Sequence, residues 1–98
     1  MDKEEARRIL THVDGDRCFW INNGPVLKNL DELYMALSEM KKETFTHHAN
    51  AEKNDFSSWV KEVLGDTKLA EDLSKIKSKK GMALKVKQRI MYLKKAAA

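Results

Sequence analysis

The sequence predicts a mainly α fold, a single small helical domain of about five helices with a short N-terminal β-hairpin. Three observations predict it. Apolar residues recur at helical spacing in five segments, most of them opened by an Asn or Asp where a cap belongs. The triplet Asn22-Asn23-Gly24 separates two short apolar runs and reads as a hairpin turn. A chain of 98 residues that is 42% hydrophobic suits one folded domain with a small core. The domain is expected to span residues 1–95, with 96–98 a frayed tail.

The first helix is expected from Ala6, Ile9, Leu10 and Val13, with Glu4 and Glu5 in its first turn and Asp14-Gly15-Asp16 breaking it. The hairpin follows, Cys18 to Ile21 against Pro25 to Leu27. Pro25 has no backbone donor, so its strand belongs at an edge. Asn29 with Glu32 suggests a capping box ahead of the stripe Leu30, Leu33, Tyr34, Leu37 and Met40. Residues 41–53 are polar and irregular, with room for a single helical turn around Phe45 to Ala49. Asn54 or Asp55 can cap a helix carrying Phe56, Trp59, Val60, Val63 and Leu64. Gly65 stands at its natural end, and Asp66 can cap the next helix, with Leu69, Ala70, Leu73 and Ile76 inward. After a basic break at Lys77 to Gly81, a last helix of about residues 82–95 docks Met82, Ala83, Val86, Ile90 and Leu93.

Charge is divided sharply at residue 73. Residues 1–73 hold ten basic and fifteen acidic side chains, a formal −5, whereas residues 74–98 hold nine basic and no acidic ones. The net charge of +4 conceals this polarity. The nine, Lys75, Lys77, Lys79, Lys80, Lys85, Lys87, Arg89, Lys94 and Lys95, are the candidate contacts to nucleic acid or an acidic partner surface. Lysines are point charges, so little sequence specificity is expected, and Arg89 offers the one bidentate fork of the segment. Leu84 and Met91 fall opposite the docking stripe of the last helix. Two exposed apolar residues among lysines suggest an interface with another subunit, as in a homodimer, with another protein or with a membrane surface. The expected function is a small non-enzymatic binding protein that contacts nucleic-acid phosphates. The alternative is a protein-interaction or adaptor module using the same helix.

The run Phe45-Thr46-His47-His48-Ala49-Asn50, then Lys53-Asn54-Asp55-Phe56 with Trp59-Val60, then Gly65-Asp66 with Leu69-Ala70, resembles the signature of a small uncharacterised domain family. That family occurs mostly in archaea and some bacteria, alone or appended to larger proteins. Phe19-Trp20, Asn23-Gly24 and Asn29-Leu30 with Glu32-Leu33 also fit its pattern. The resemblance covers roughly residues 17–76 and implies a fold and a single domain; no activity is established for the family.

Within that stretch His48, Asn50, Lys53, Asn54 and Asp55 form the one candidate polar cluster, read as a ligand site or as structural capping and turn bonding. No nucleophile, phosphate loop or paired carboxylates accompany it, so catalysis is not expected. His12, Cys18, His47 and His48 lack the paired spacing of a zinc site, so neither metal nor cofactor is expected. Phe19, Trp20, Phe45, Phe56 and Trp59 are read as core rather than as a base-stacking surface. Lone Cys18 cannot form an internal disulfide, and no apolar run approaches the ~20 residues of a membrane span. A cytoplasmic protein is expected, with Cys18 a buried, inert thiol.

Overall fold

Five of the six helices open on a side chain that accepts from the backbone N–H three residues on, which satisfies one otherwise unpaired donor in the first turn. Asp2 does this for α1 (Lys3–Leu10), Asn29 for α2 (Leu30–Glu39) and Asn54 for α4 (Asp55–Trp59). Asp66 does it for α5 (Thr67–Ser74) and Ser78 for α6 (Lys79–Ala97). Only α3 (Lys42–His48), which follows α2 after two residues, starts without one. The computed structural model describes all 98 residues.

Two strands, β1 (Phe19–Trp20) and β2 (Val26–Leu27), pair antiparallel, Phe19 with Leu27 and Trp20 with Val26. The turn between them closes with Gly24 N–H donating to Ile21 O at 3.1 Å. Asn23 takes φ +57°, which its short polar side chain tolerates. Gly24 is required for space, because a Cβ there would stand 2.6 Å from Ile21 Cγ2.

Helix α6 is the axis of the domain, with α1 and α2 packed against it and α5 touching it from the α4 side. Its Met82, Val86, Ile90 and Leu93 meet Ala6 and Ile9 of α1 and Leu30, Leu33 and Leu37 of α2 in one core cluster. Helix α4 continues as a π-helical turn, Val60–Leu64, and stops at Gly65 in the left-handed region at φ +77°. Arg8 and Arg17 reach across the chain to donate to Leu64 O and Val63 O at 3.4 and 3.2 Å, answering carbonyls the turn leaves open.

Several expected boundaries move. The first helix ends at Leu10, because Thr11 turns extended and donates its hydroxyl to Arg7 O; Val13 instead donates from its N–H to Lys28 O beside the hairpin. The stretch after residue 41, expected to hold a single helical turn around Phe45 to Ala49, is helical over seven residues, and the mainly α domain with its N-terminal hairpin has six helices. Helix α5 stops at Ser74, so Ile76 is half-buried in the link rather than on the helix. The last helix is longer than residues 82–95. Ser78 Oγ accepts from Gly81 N–H at 3.0 Å and starts it at Lys79, and Arg7 Nε donates to Ala97 O at 3.1 Å where it ends. Residues 96 and 97 are therefore helical and half-buried instead of frayed.

Candidate functional site

The start of α6 lies beside α2 and α3, and the three enclose an open groove of about 870 Å³. Its rim carries Lys42 from α3, Lys77 from the α5–α6 link, and Lys79, Lys80 and Lys87 from α6. Its floor and walls include Tyr34 and Leu37 of α2, Phe45 of α3, and Ala83 and Leu84 of α6. None of the 14 lining residues is acidic, so nothing inside the groove offsets the lysines. No carboxylate pairs with Lys42, Lys77, Lys80 or Lys87. Lys79 bends inward and donates to Leu37 O at 3.1 Å, and Lys87 Nζ lies 5.7 Å over the Tyr34 ring centroid.

The nine basic residues read from the sequence thus separate into groups. Lys77, Lys79, Lys80 and Lys87 share the groove. Lys75 and Lys94 pair with Glu71 and Asp31 at 3.7 and 3.4 Å, exposed contacts that contribute little to stability. Lys85 and Lys95 lie outside the groove lining. Arg89 faces inward. Its Nε and Nη2 donate to the two oxygens of Asp66 at 2.7 and 2.9 Å, so its fork is spent on a carboxylate of its own chain.

Leu84 and Met91 are exposed as the periodicity implies, at 57% and 63%, yet they do not share a surface feature. Leu84 belongs to the groove wall, and Met91 does not.

The polar cluster around His48 links three parts of the fold. His48 is buried, and its Nε2 accepts the Asn22 N–H at 2.9 Å. The ring proton therefore resides on Nδ1 and is donated to Asp55 Oδ2 at 3.0 Å. Asp55 also receives Lys53 Nζ at 3.0 Å. Partial burial pushes the Asp55 carboxyl up, but the hydrogen bonds from His48 and Lys53 outweigh it and hold the group below the ordinary aspartate range. Asn54 caps α4 through its oxygen and donates from Nδ2 to Leu73 O at 3.1 Å, which settles the choice between Asn54 and Asp55 as cap. Asn50 accepts from Glu52 N–H and donates to Thr46 O, shaping the turn that leads from α3 to α4. No buried side-chain nitrogen or oxygen lacks a partner.

Four of the five aromatics read as core are buried. Phe56 stacks between Phe19 and Phe45 at centroid distances of 5.3 and 5.6 Å, and Trp59 donates its indole N–H to Arg17 O at 2.8 Å. Trp20 is the exception, 65% exposed. Strand alternation turns Phe19 inward and Trp20 outward, and no second layer covers the outer face of a two-stranded hairpin. His12 and His47 are exposed, Cys18 is buried with Sγ 3.5 Å from Val13 O, and no group of three such side chains is placed to hold a metal ion.

Tyr34 and Lys42 are groove residues that sequence reasoning missed. Tyr34 fits the apolar stripe of α2, and Lys42 sits in a stretch that reads as irregular.

The features that repeat the resemblance, from the hairpin turn to Gly65-Asp66, all lie inside residues 18–93, and that span matches a known family. The chain belongs to DUF5752, a family of unknown function. The assignment agrees with the resemblance to an uncharacterised domain family. The DUF5752 span contains every groove residue, whereas α1 lies outside it although Ala6 and Ile9 complete the core. No curated protein and no solved structure matches the chain. No helix is long and apolar enough to cross a membrane.

Proposed function

We propose that this member of DUF5752 is a small non-enzymatic binding protein that holds nucleic acid by its phosphates through the lysines at the start of α6. One observation carries the reading. Five lysines from three segments rim a single groove that contains no carboxylate. Such a concentration of like charge is unfavourable in isolation and is relieved by an anionic ligand with repeated charge. The commitment of Arg89 to Asp66 supports low sequence specificity, since the remaining cations are lysines without a planar fork.

Fluorescence anisotropy with labelled DNA and RNA at low and moderate salt tests this. With about five phosphates neutralised, log affinity falls against log salt with a slope of about −3.5 on single strands or −4.5 on duplex. Reversing Lys77, Lys80 and Lys87 to Glu in the full-length protein abolishes binding without touching any intramolecular ion pair. Absence of binding at low salt, or indifference to the reversal, refutes the proposal.

A protein-interaction role is the second reading, favoured by Met91 and Tyr92, both exposed on the C-terminal half of α6. Sedimentation of the parent and of Met91→Gln tests it. A monomer in both removes the homodimer form of that reading.

A further inference from the structure

We infer that the groove takes a single strand rather than a duplex, with an unpaired base lying against Tyr34 and Leu84 while its flanking phosphates meet Lys42, Lys77, Lys80 and Lys87. This rests on the nucleic-acid reading and narrows it.

The argument begins with what the lysines surround. Phosphate binding alone needs cations on an accessible face and gains nothing from apolar surface. Here the cations rim a concave strip whose floor is Leu37, Phe45 and Ala83, with the half-buried Tyr34 ring and the exposed Leu84 side chain along its walls. In a duplex the base faces are stacked on one another, and only edges and backbone are presented. A duplex would leave Tyr34 and Leu84 wet and unmatched. An unpaired base has a large apolar face, and an aromatic ring is the surface it stacks on, here Tyr34, with Leu84 as an apolar neighbour in van der Waals contact.

Geometry adds a second reason. The cations come from α3, from the α5–α6 link and from α6, so they converge on a groove instead of running along a ridge. A flexible backbone can bend to meet them, whereas a stiff duplex cannot follow a concave strip of this size. Lys87 Nζ lies over the face of the Tyr34 ring, 5.7 Å from its centroid, so a base that stacks on that face displaces the ammonium toward its flanking phosphate. The placement also gives Leu84 a role that phosphate contact alone does not, and separates it from Met91.

The test compares three labelled probes with the full-length protein at low salt: a short oligothymidylate, the same strand with abasic sites, and a duplex of equal length. Oligothymidylate is expected to bind about tenfold tighter than the abasic strand, the effect of one stacked base. Tyr34→Leu keeps the half-buried position apolar and is expected to lower oligothymidylate binding to the abasic level while leaving abasic binding unchanged. Leu84→Gln, at an exposed site that folding does not need, is expected to reduce the same base-dependent part. Lys42→Glu weakens every probe, and Lys95→Glu, outside the groove, weakens none.

Equal binding of the normal and abasic strands overturns the inference, as does equal damage from Lys95→Glu and Lys42→Glu. Duplex binding as tight as single-strand binding overturns it while leaving the wider proposal standing. If no probe binds, the wider proposal falls first. Displacement of oligothymidylate by polyglutamate at equal charge concentration would assign the groove to an acidic protein segment and overturn the inference as well.

Discussion

Replacing Arg89 by Met should unfold much of this protein's stability margin. The Asp66 side chain is 1% exposed and that of Arg89 15%, and the two share paired hydrogen bonds of 2.7 and 2.9 Å. Removing the guanidinium strands the carboxylate among apolar residues with one remaining partner, the Leu69 N–H at 3.1 Å. Breaking a buried pair on one side costs about 3–5 kcal/mol, because the orphaned charge is left without compensation. An exposed pair would cost at most about 1 kcal/mol. For a domain of this size the buried figure corresponds to a fall in Tm of roughly 12–40 °C. Urea denaturation followed by far-UV circular dichroism reads it directly. The double variant Asp66→Asn with Arg89→Met is the decisive control. Asn still accepts the Leu69 N–H as an N-cap but carries no charge, so the double variant should recover most of the loss. A single-variant cost below about 1 kcal/mol, or a double variant no more stable than Arg89→Met, would refute the reasoning.

Two further outcomes follow from the same geometry. The depressed Asp55 carboxyl contributes stability that is present above the ordinary aspartate pKa and is lost as pH falls through the lower folded value. Asp55→Asn should therefore be less stable than the parent near neutral pH, with the gap closing in strong acid when midpoints are compared across pH. A gap independent of pH would rule out the carboxylate as its source. In β1, Phe19→Ala should cost about 3–5 kcal/mol by emptying the ring stack on Phe56, whereas Trp20→Ser should stay within about 0.5 kcal/mol. Similar costs in denaturant titrations would mean that the hairpin does not present these faces as described.

The fold was largely legible because most of its signals are local. Asn29, Asn54 and Asp66 each cap a helix through a backbone N–H three residues away, and the stripes of α2, α5 and α6 point into one core. Where reading failed, a distant partner decided the outcome. Nothing near Ala96 announces that Arg7 will meet the carbonyl of Ala97, and nothing near Lys42 announces a helix without a side-chain cap. Trp20 departs from the core reading because its place in an apolar run suggests burial, while alternation along a short uncovered strand sends every second side chain to solvent. Of the candidate site, the basic residues were legible as a set. Their division between groove, ion pairs and open surface was not, because it depends on which helix each one faces.

By itself the amino-acid sequence determined a mainly helical domain, its turn at Asn22 to Gly24, most of its core and the concentration of positive charge after residue 73. These follow from interactions among residues a few positions apart and from the pattern of apolar side chains. Only the tertiary structure decided that Arg89 is held by Asp66, that Lys42 and Tyr34 join the lysines of α6, and that Leu84 and Met91 part company. Those outcomes join residues from separate helices, and the relative placement of packed helices is a property of the whole core rather than of any one segment.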